Sequence, residues 1–211
     1  MTPITGGSRW RTDGLDYRVT SNLGVPVLRQ QGRLSGLPIV RNGPSNGKVS
    51  SVIEITFYRA SKEPWGVFSN LYRCTIRFDG RVFPSSEHAY QFGKARKIEV
   101  AEWLMAAPSG ALLAMAAHGL FYWDIAPGWS KTKVDRMRAV LRAKFTQHNY
   151  LQKTLLSTGD ATLVETPTVA DQAALFWGRA DGKGKNTLGV LLMELRRKLR
   201  DEQRRGGRRT P

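Results

Sequence analysis

From residue 51 onward the chain places its strand patterns first and its helical patterns afterwards, and this order limits the folds open to it. In "SVIEITFYR", Ile53, Ile55 and Phe57 alternate with Val52, Glu54 and Thr56, the period of a half-buried strand. "YRCTIRFDGRVFPS" repeats the signal: Cys74, Ile76 and Phe78 share a face, and Asp79-Gly80 supplies a hairpin turn into Val82 and Phe83. Pro84 and Ser85 then end the strand, with Ser85 placed to cap a helix and Glu87 in its first turn. Helical periodicity follows over about 86–97, 99–106, 109–118, 130–147, 149–157 and 187–203. Strands followed by helices, without βαβ alternation, indicate an α+β domain that is mainly α and exclude a Rossmann sheet.

The first 50 residues have a different texture. They hold eight Gly and four Pro and lack helical periodicity, so they read as an irregular basic extension with at most a short strand in "DYRVTSNLGVPVLRQ". The expected organisation is an extension over 1–50, a folded domain over 51–200 and an Arg-rich tail over 201–211. Length permits one well-buried core and no comfortable second one.

Composition narrows the function classes. The lone Cys74 excludes an internal disulfide framework and suits a reducing, cytoplasmic compartment. One Cys and three scattered His do not supply a structural zinc cluster, so no metal and no redox cofactor are expected. No apolar run reaches the roughly 20 residues that span a bilayer, so no membrane partner is expected either. Net charge is +16, with excess at the ends: seven basic and two acidic residues in 1–50, eight and two in 195–211. Such ends attract polyanions, nucleic acid among them, without reading sequence.

Three stretches concentrate groups able to do chemistry. "PSSEHAYQFGKARK" (84–97) spaces Glu87, Gln91 and Lys94 by four and three residues, which sets them on one face of a helix. "EPWGVFSNLY" (63–72) brings Trp65, Phe68 and Asn70 together beside Gly66, suited to stacking a flat ring and bonding its edge. "LFWGRADGKGKNTLG" (175–189) combines four glycines with Arg179, Lys183 and Lys185. Asn186 and Thr187 are placed to cap the next helix, whose N-terminus is a natural phosphate site. The loop is not a P-loop, since G-K-[ST] is absent. Of the carboxylates, Glu165 falls in a loop after the helix ending near 157, and Asp171 precedes the Gly-rich segment.

Together these segments resemble the NADAR superfamily, whose best-known members are the YbiA-like N-glycosidases. The likeness covers about residues 53–200. It rests on "ITFYRA", "GVFSNLY", "FPSSEHAYQFGK", "GWSKTKVDRMRAVLRAKFTQHNYLQKTLLSTGDATLVE", "FWG" and "GKGKNTLGVLLMELRRKL", in that order. The resemblance implies a compact, mostly helical domain with a small antiparallel sheet and one cleft. It implies hydrolysis of an N-glycosidic bond in a ribose-phosphate or ADP-ribosyl substrate: an early riboflavin-pathway aminouracil ribose phosphate, or ADP-ribosylated guanine in nucleic acid.

Carried over residue by residue, it assigns Glu87, Lys94 and Glu165 to catalysis. Phe68, Asn70, Gln91, Trp129, Asp171, Trp177, Gly178, Asn186 and Gly189 are assigned to substrate binding. Lys94 has two roles open to it, donating hydrogen bonds to ribose or phosphate, or trapping an opened sugar as a Schiff base. The chain departs from the family pattern at Ala174, where an Asp three residues before Trp177 is usual. It departs again in the apolar stretch "LLAMAAHGLFYWDIAPG", where relatives carry basic residues. A non-catalytic module binding ADP-ribose or nucleic acid on the same fold is the alternative, and no oligomeric state is indicated.

Overall fold

The structure, a computed structural model, describes residues 53–168 and 170–207 together with three short strands nearer the N-terminus. Two of those strands, β1 (Trp10–Thr12) and β2 (Leu15–Tyr17), form an antiparallel hairpin in a unit of their own, Met1–Ser35. The remainder of the expected strand around 16–30 lies outside the described residues, as do residues 208–211 of the basic tail.

The second unit, Gly36–Pro211, holds the larger fold. Its sheet begins with β3 (Ile39–Val40), which pairs antiparallel with β4 (Ile53–Phe57). The sheet therefore reaches back into the stretch assigned to the extension. A 3-10 turn at Trp65–Phe68 leads into the hairpin of β5 (Arg73–Phe78) and β6 (Arg81–Ser85). Asp79 and Gly80 both take positive φ there, 49° and 74°, which matches the right-handed twist of the strands they join. The helices are α1 (Ser86–Phe92), α2 (Ile98–Met105), α3 (Gly110–His118), α4 (Trp129–Gln147) and α5 (Asn149–Ser157). After strand β7 (Thr162–Glu165) come α6 (Gln172–Trp177) and α7 (Thr187–Gly207).

Three elements differ from the sequence reading, each for a physical reason. First, Glu165 does not lie in a loop: it ends β7, which pairs parallel with β4 so that Phe57 faces Glu165. The sheet is therefore not wholly antiparallel. Four residues of "TLVE" carry too little periodicity to announce a strand whose partner lies beyond five helices. Second, α1 stops at Phe92 rather than continuing to 97. The Arg136 guanidinium donates to the carbonyls of Ala89 and Tyr90, taking the acceptors that further turns would have used. It fills the space beside Gly93, where a Cβ would meet Arg136 Nε at 2.1 Å. Third, α7 runs on through 201–207, with Glu202 paired to Arg142 at 3.0 Å, so most of the expected tail is the end of a helix.

The core is built where these elements meet. Ile76, Phe83, Phe145, Leu141, Leu151, Leu163 and Leu192 are at most 2% exposed and belong to one cluster, while Leu104, Leu113 and Ala117 join α2 to α3 in a smaller one. Within α4 the buried positions Met137, Val140, Leu141, Lys144 and Phe145 follow the helical period. Lys144 is the polar exception. It is fully enclosed, donates to the Ser69 carbonyl at 2.8 Å, and its ammonium is pushed down to about 8 by burial. That bond fixes the turn from which Asn70 reaches α1. No described helix is long and apolar enough to cross a membrane.

Candidate active site

The site is organised by the start of α1. The Ser85 side chain accepts the His88 N–H at 3.5 Å and bonds His88 Nδ1 at 2.8 Å, the cap its sequence position predicted. The Asn70 carbonyl receives the Glu87 N–H at 3.0 Å and the Ser86 hydroxyl at 3.1 Å, and Asn70 Oδ1 accepts that hydroxyl at 3.2 Å. Glu87 is thus held from behind by its own backbone. Its carboxylate accepts from Gln91 Nε2 at 2.8 Å, one helical turn on. Gln91 Oε1 is buried and finds no donor among the described residues, an acceptor left open beside the carboxylate.

Lys94 lies just past the end of α1 rather than on its face, its N–H bonded to the Gln91 carbonyl at 3.0 Å. Its ammonium donates to the Ala117 carbonyl at the end of α3. Burial lowers the Lys94 pKa; the Glu87 charge opposes that shift and Lys133 adds to it. Burial raises Glu87, against the opposing pull of the Gln91 hydrogen bond and the Lys94 charge.

Glu165 arrives from the other side. It is partly exposed, and among the described residues no hydrogen bond or ion pair reaches its carboxyl group. Burial, with the Glu87 charge as the second cause, pushes it up to about 8. Its backbone, in contrast, is held on both sides. The Glu165 N–H donates to Asn186 Oδ1 at 3.1 Å, while Asn186 Nδ2 donates to the Leu163 carbonyl at 2.8 Å. The Glu165 carbonyl receives the Arg179 N–H at 2.7 Å.

The glycines of this loop permit that clasp. A Cβ at Gly178 would meet the Glu165 carbonyl at 2.7 Å, and one at Gly189 would meet the Leu163 carbonyl at 2.1 Å and both Asn186 amide atoms at 2.5 Å. Asn186 and Thr187 therefore do not cap α7 with their side chains. Asn186 spends its amide on β7, and the Thr187 hydroxyl bonds the Phe176 carbonyl at 2.6 Å. The first turn of α7 is packed on β7.

An aromatic wall joins the two sides. The Tyr90 ring meets Trp129 at 5.1 Å and Trp177 edge-on at 5.6 Å, and burial together with the Glu87 charge raises its phenol. The structure thus gathers Glu87, Gln91, Lys94, Trp129, Glu165 and Trp177. Asn70, Gly178, Asn186 and Gly189 stand behind the carboxylates as supports. Phe68 is fully buried between Trp65, Phe57 and Phe145, with centroid distances of 5.7, 5.6 and 6.3 Å, so it backs the turn instead of offering a ring to a ligand. Asp171 is exposed and caps α6 by accepting the Ala174 N–H at 2.7 Å, though its charge still reaches His118.

The sequence reading missed Tyr90, His118 and Lys133. Tyr90 was open to discovery, three residues after Glu87; His118 and Lys133 reach Lys94 only through the fold. Among the described residues no group of His, Cys, Asp and Glu is arranged to hold a metal ion.

Known proteins share this arrangement of chain. The family model described as the NADAR domain matches residues 56–200. The chain is 37% identical over 150 residues to the N-glycosidase YbiA of Escherichia coli (strain K12), covering 71% of this chain and 90% of that protein. It is 34% identical over 155 residues to the riboflavin biosynthesis protein VVA0006 of Vibrio vulnificus, covering 72% of this chain but 41% of that longer protein. The NMR structure of E. coli YbiA superposes with a TM-score of 0.62 at 36% identity, over 71% of this chain and 86% of that one. By sequence and by fold, the chain belongs to the NADAR family and stands among its YbiA-like N-glycosidases.

Proposed function

We propose that the protein hydrolyses the bond between a base nitrogen and C1 of a ribose phosphate, with Glu165 as the acid and Glu87 as the ionised carboxylate. The observation that carries this reading is the contrast between the two groups. Glu87 has a hydrogen-bond donor and a cation beside it, whereas Glu165 has neither and is pushed up to about 8. Burial raises both groups, and only at Glu87 do a donor and a cation oppose that rise; cleavage of a glycosidic bond requires one acid and one ionised carboxylate in the same site.

As the C1–N bond breaks, its electron pair passes to the base, which takes the Glu165 proton. Positive charge left on the sugar is met by Glu87. Water then adds to C1 and gives up its proton to a carboxylate, so base and free sugar phosphate are the products. Gln91 Oε1, unpaired in this structure, accepts from a sugar hydroxyl, and Lys94 donates to a sugar oxygen. The aromatic wall of Trp129, Tyr90 and Trp177 lies beside the carboxylates and offers an apolar surface to the sugar and base.

The base is an aminouracil in the first reading, in keeping with relatives named as riboflavin biosynthesis proteins. The net charge of +16 favours a second, ADP-ribosylated guanine in nucleic acid, as the substrate of the same site. Product analysis by chromatography on both substrates tests the function. Release of free base from one of them is expected; release from neither, by folded protein, contradicts it.

A further inference from the structure

Two lysines next to the site have no counter-charge among the described residues. Lys133, on the first turns of α4, places its ammonium 3.8 Å from the centroid of the Phe176 ring, and Lys185, from the Gly-rich loop, lies 5.4 Å from the same ring. They come from separate parts of the chain, 52 positions apart in sequence. Among the described residues neither is within ion-pair reach of a carboxylate, although the adjacent Arg179 is paired with Glu54 at 2.5 Å. Holding two ammonium groups at one ring is uphill unless something negative is drawn in. The ring supplies part of the compensation through its quadrupole, and leaves the outward N–H groups free to donate. Each charge also acts on its neighbour: Lys185 lowers Lys133, and Lys133 lowers Lys94. Lys94 in turn lies beside Glu87. The charges are therefore coupled in the order Glu87, Lys94, Lys133, Lys185.

We propose that Lys133 and Lys185, seated on Phe176, form the subsite for the phosphate on C5 of the ribose, with C1 directed to Glu87 and Glu165. This rests on the N-glycosidase reading above and adds where the substrate's phosphate is held. It also accounts for the apolar stretch before Trp129: the positive charge is supplied by α4 and the Gly-rich loop instead.

The full-length protein is titrated calorimetrically with ribose 5-phosphate, ADP-ribose and unphosphorylated ribose. Wild type is compared with Lys133→Met, Lys185→Met and the double variant. Methionine keeps the packing on Phe176, and Lys185 is exposed, so its variant leaves the fold intact. Ribose 5-phosphate is expected to bind wild type, and to lose about tenfold or more with each lysine, as charge-assisted bonds are removed. Ribose itself should be indifferent to both changes. A preference for ribose 5-phosphate over ADP-ribose assigns a monoester; the reverse preference, equally lost in the variants, assigns a pyrophosphate. Wild-type affinity of the double variant for both phosphorylated ligands overturns the subsite, as does wild type binding neither of them better than ribose. If lysine-dependent binding is found and no N-glycoside is cleaved, the subsite stands and the catalytic reading falls.

Discussion

On the α1 side of the site, Glu87 is surrounded by groups that answer its charge: the Gln91 amide, the Lys94 ammonium and the N-terminal turn of its own helix. On the β7 side, Glu165 is held only through its backbone, by Asn186 and the Gly-rich loop, and its carboxyl is left to the effects of burial and of Glu87. The same side chain is thus given two chemistries by its support. A helix start brings partners within one turn, which oppose the rise that burial imposes on Glu87. A strand end clasped from behind fixes position without supplying a donor, which favours the protonated form.

The comparison is broken most severely by removing either carboxylic acid. Glu87→Gln and Glu165→Gln should each reduce kcat by about 10²–10⁴-fold, the usual range for a lost acid or base, while substrate affinity is retained. Single-turnover kinetics with a confirmed substrate measures this, and unchanged turnover in either variant removes that residue from the chemistry. Lys94→Met removes the cation on the α1 side alone. Turnover should fall about 10–100-fold. The pH at which kcat/KM rises should also move upward, because Lys94 lowers the Glu87 pKa and its loss lets that pKa rise further.

Asn186→Ala attacks the β7 side. It leaves the Leu163 carbonyl and the Glu165 N–H without their partner, at about 1–3 kcal/mol. A lower Tm with turnover reduced only severalfold is expected, read by calorimetry and steady-state assay. The smallest effect concerns stability. Because the folded-state pKa of Glu165 is raised, its stabilising contribution is fully present below its ordinary range, near 4.5, and is lost as pH rises through about 8. Glu165→Gln should therefore raise Tm above wild type at pH 8 and lose that advantage near pH 4.

Those supports were unequally legible in the sequence. Ser85, Glu87 and Gln91 announce themselves through local rules, a cap residue and a spacing of four, and the Asp79-Gly80 hairpin does the same. The β7 side follows from no local pattern. "TLVE" becomes a strand because β4 lies beside it, and Asn186, which reads as a helix cap, is used 21 residues away on Glu165. Lys94 shows the limit of periodicity. Its spacing from Gln91 is helical, but Arg136, 42 residues further on, occupies the last acceptors of α1 and ends the helix first. Phe68 illustrates the opposite error: an aromatic in a polar loop suggested a stacking surface, and three neighbouring rings enclose it.

The protonation contrast is tested most directly by titrating the two carboxyl carbons with NMR in protein labelled on glutamate. Single Gln variants would assign the signals. Glu165 is expected to titrate near 8, and Glu87→Gln to move that transition downward because one of its two causes is gone. A Glu165 signal already ionised at pH 6, or one that Glu87→Gln leaves unmoved, would contradict the assignment of acid and carboxylate.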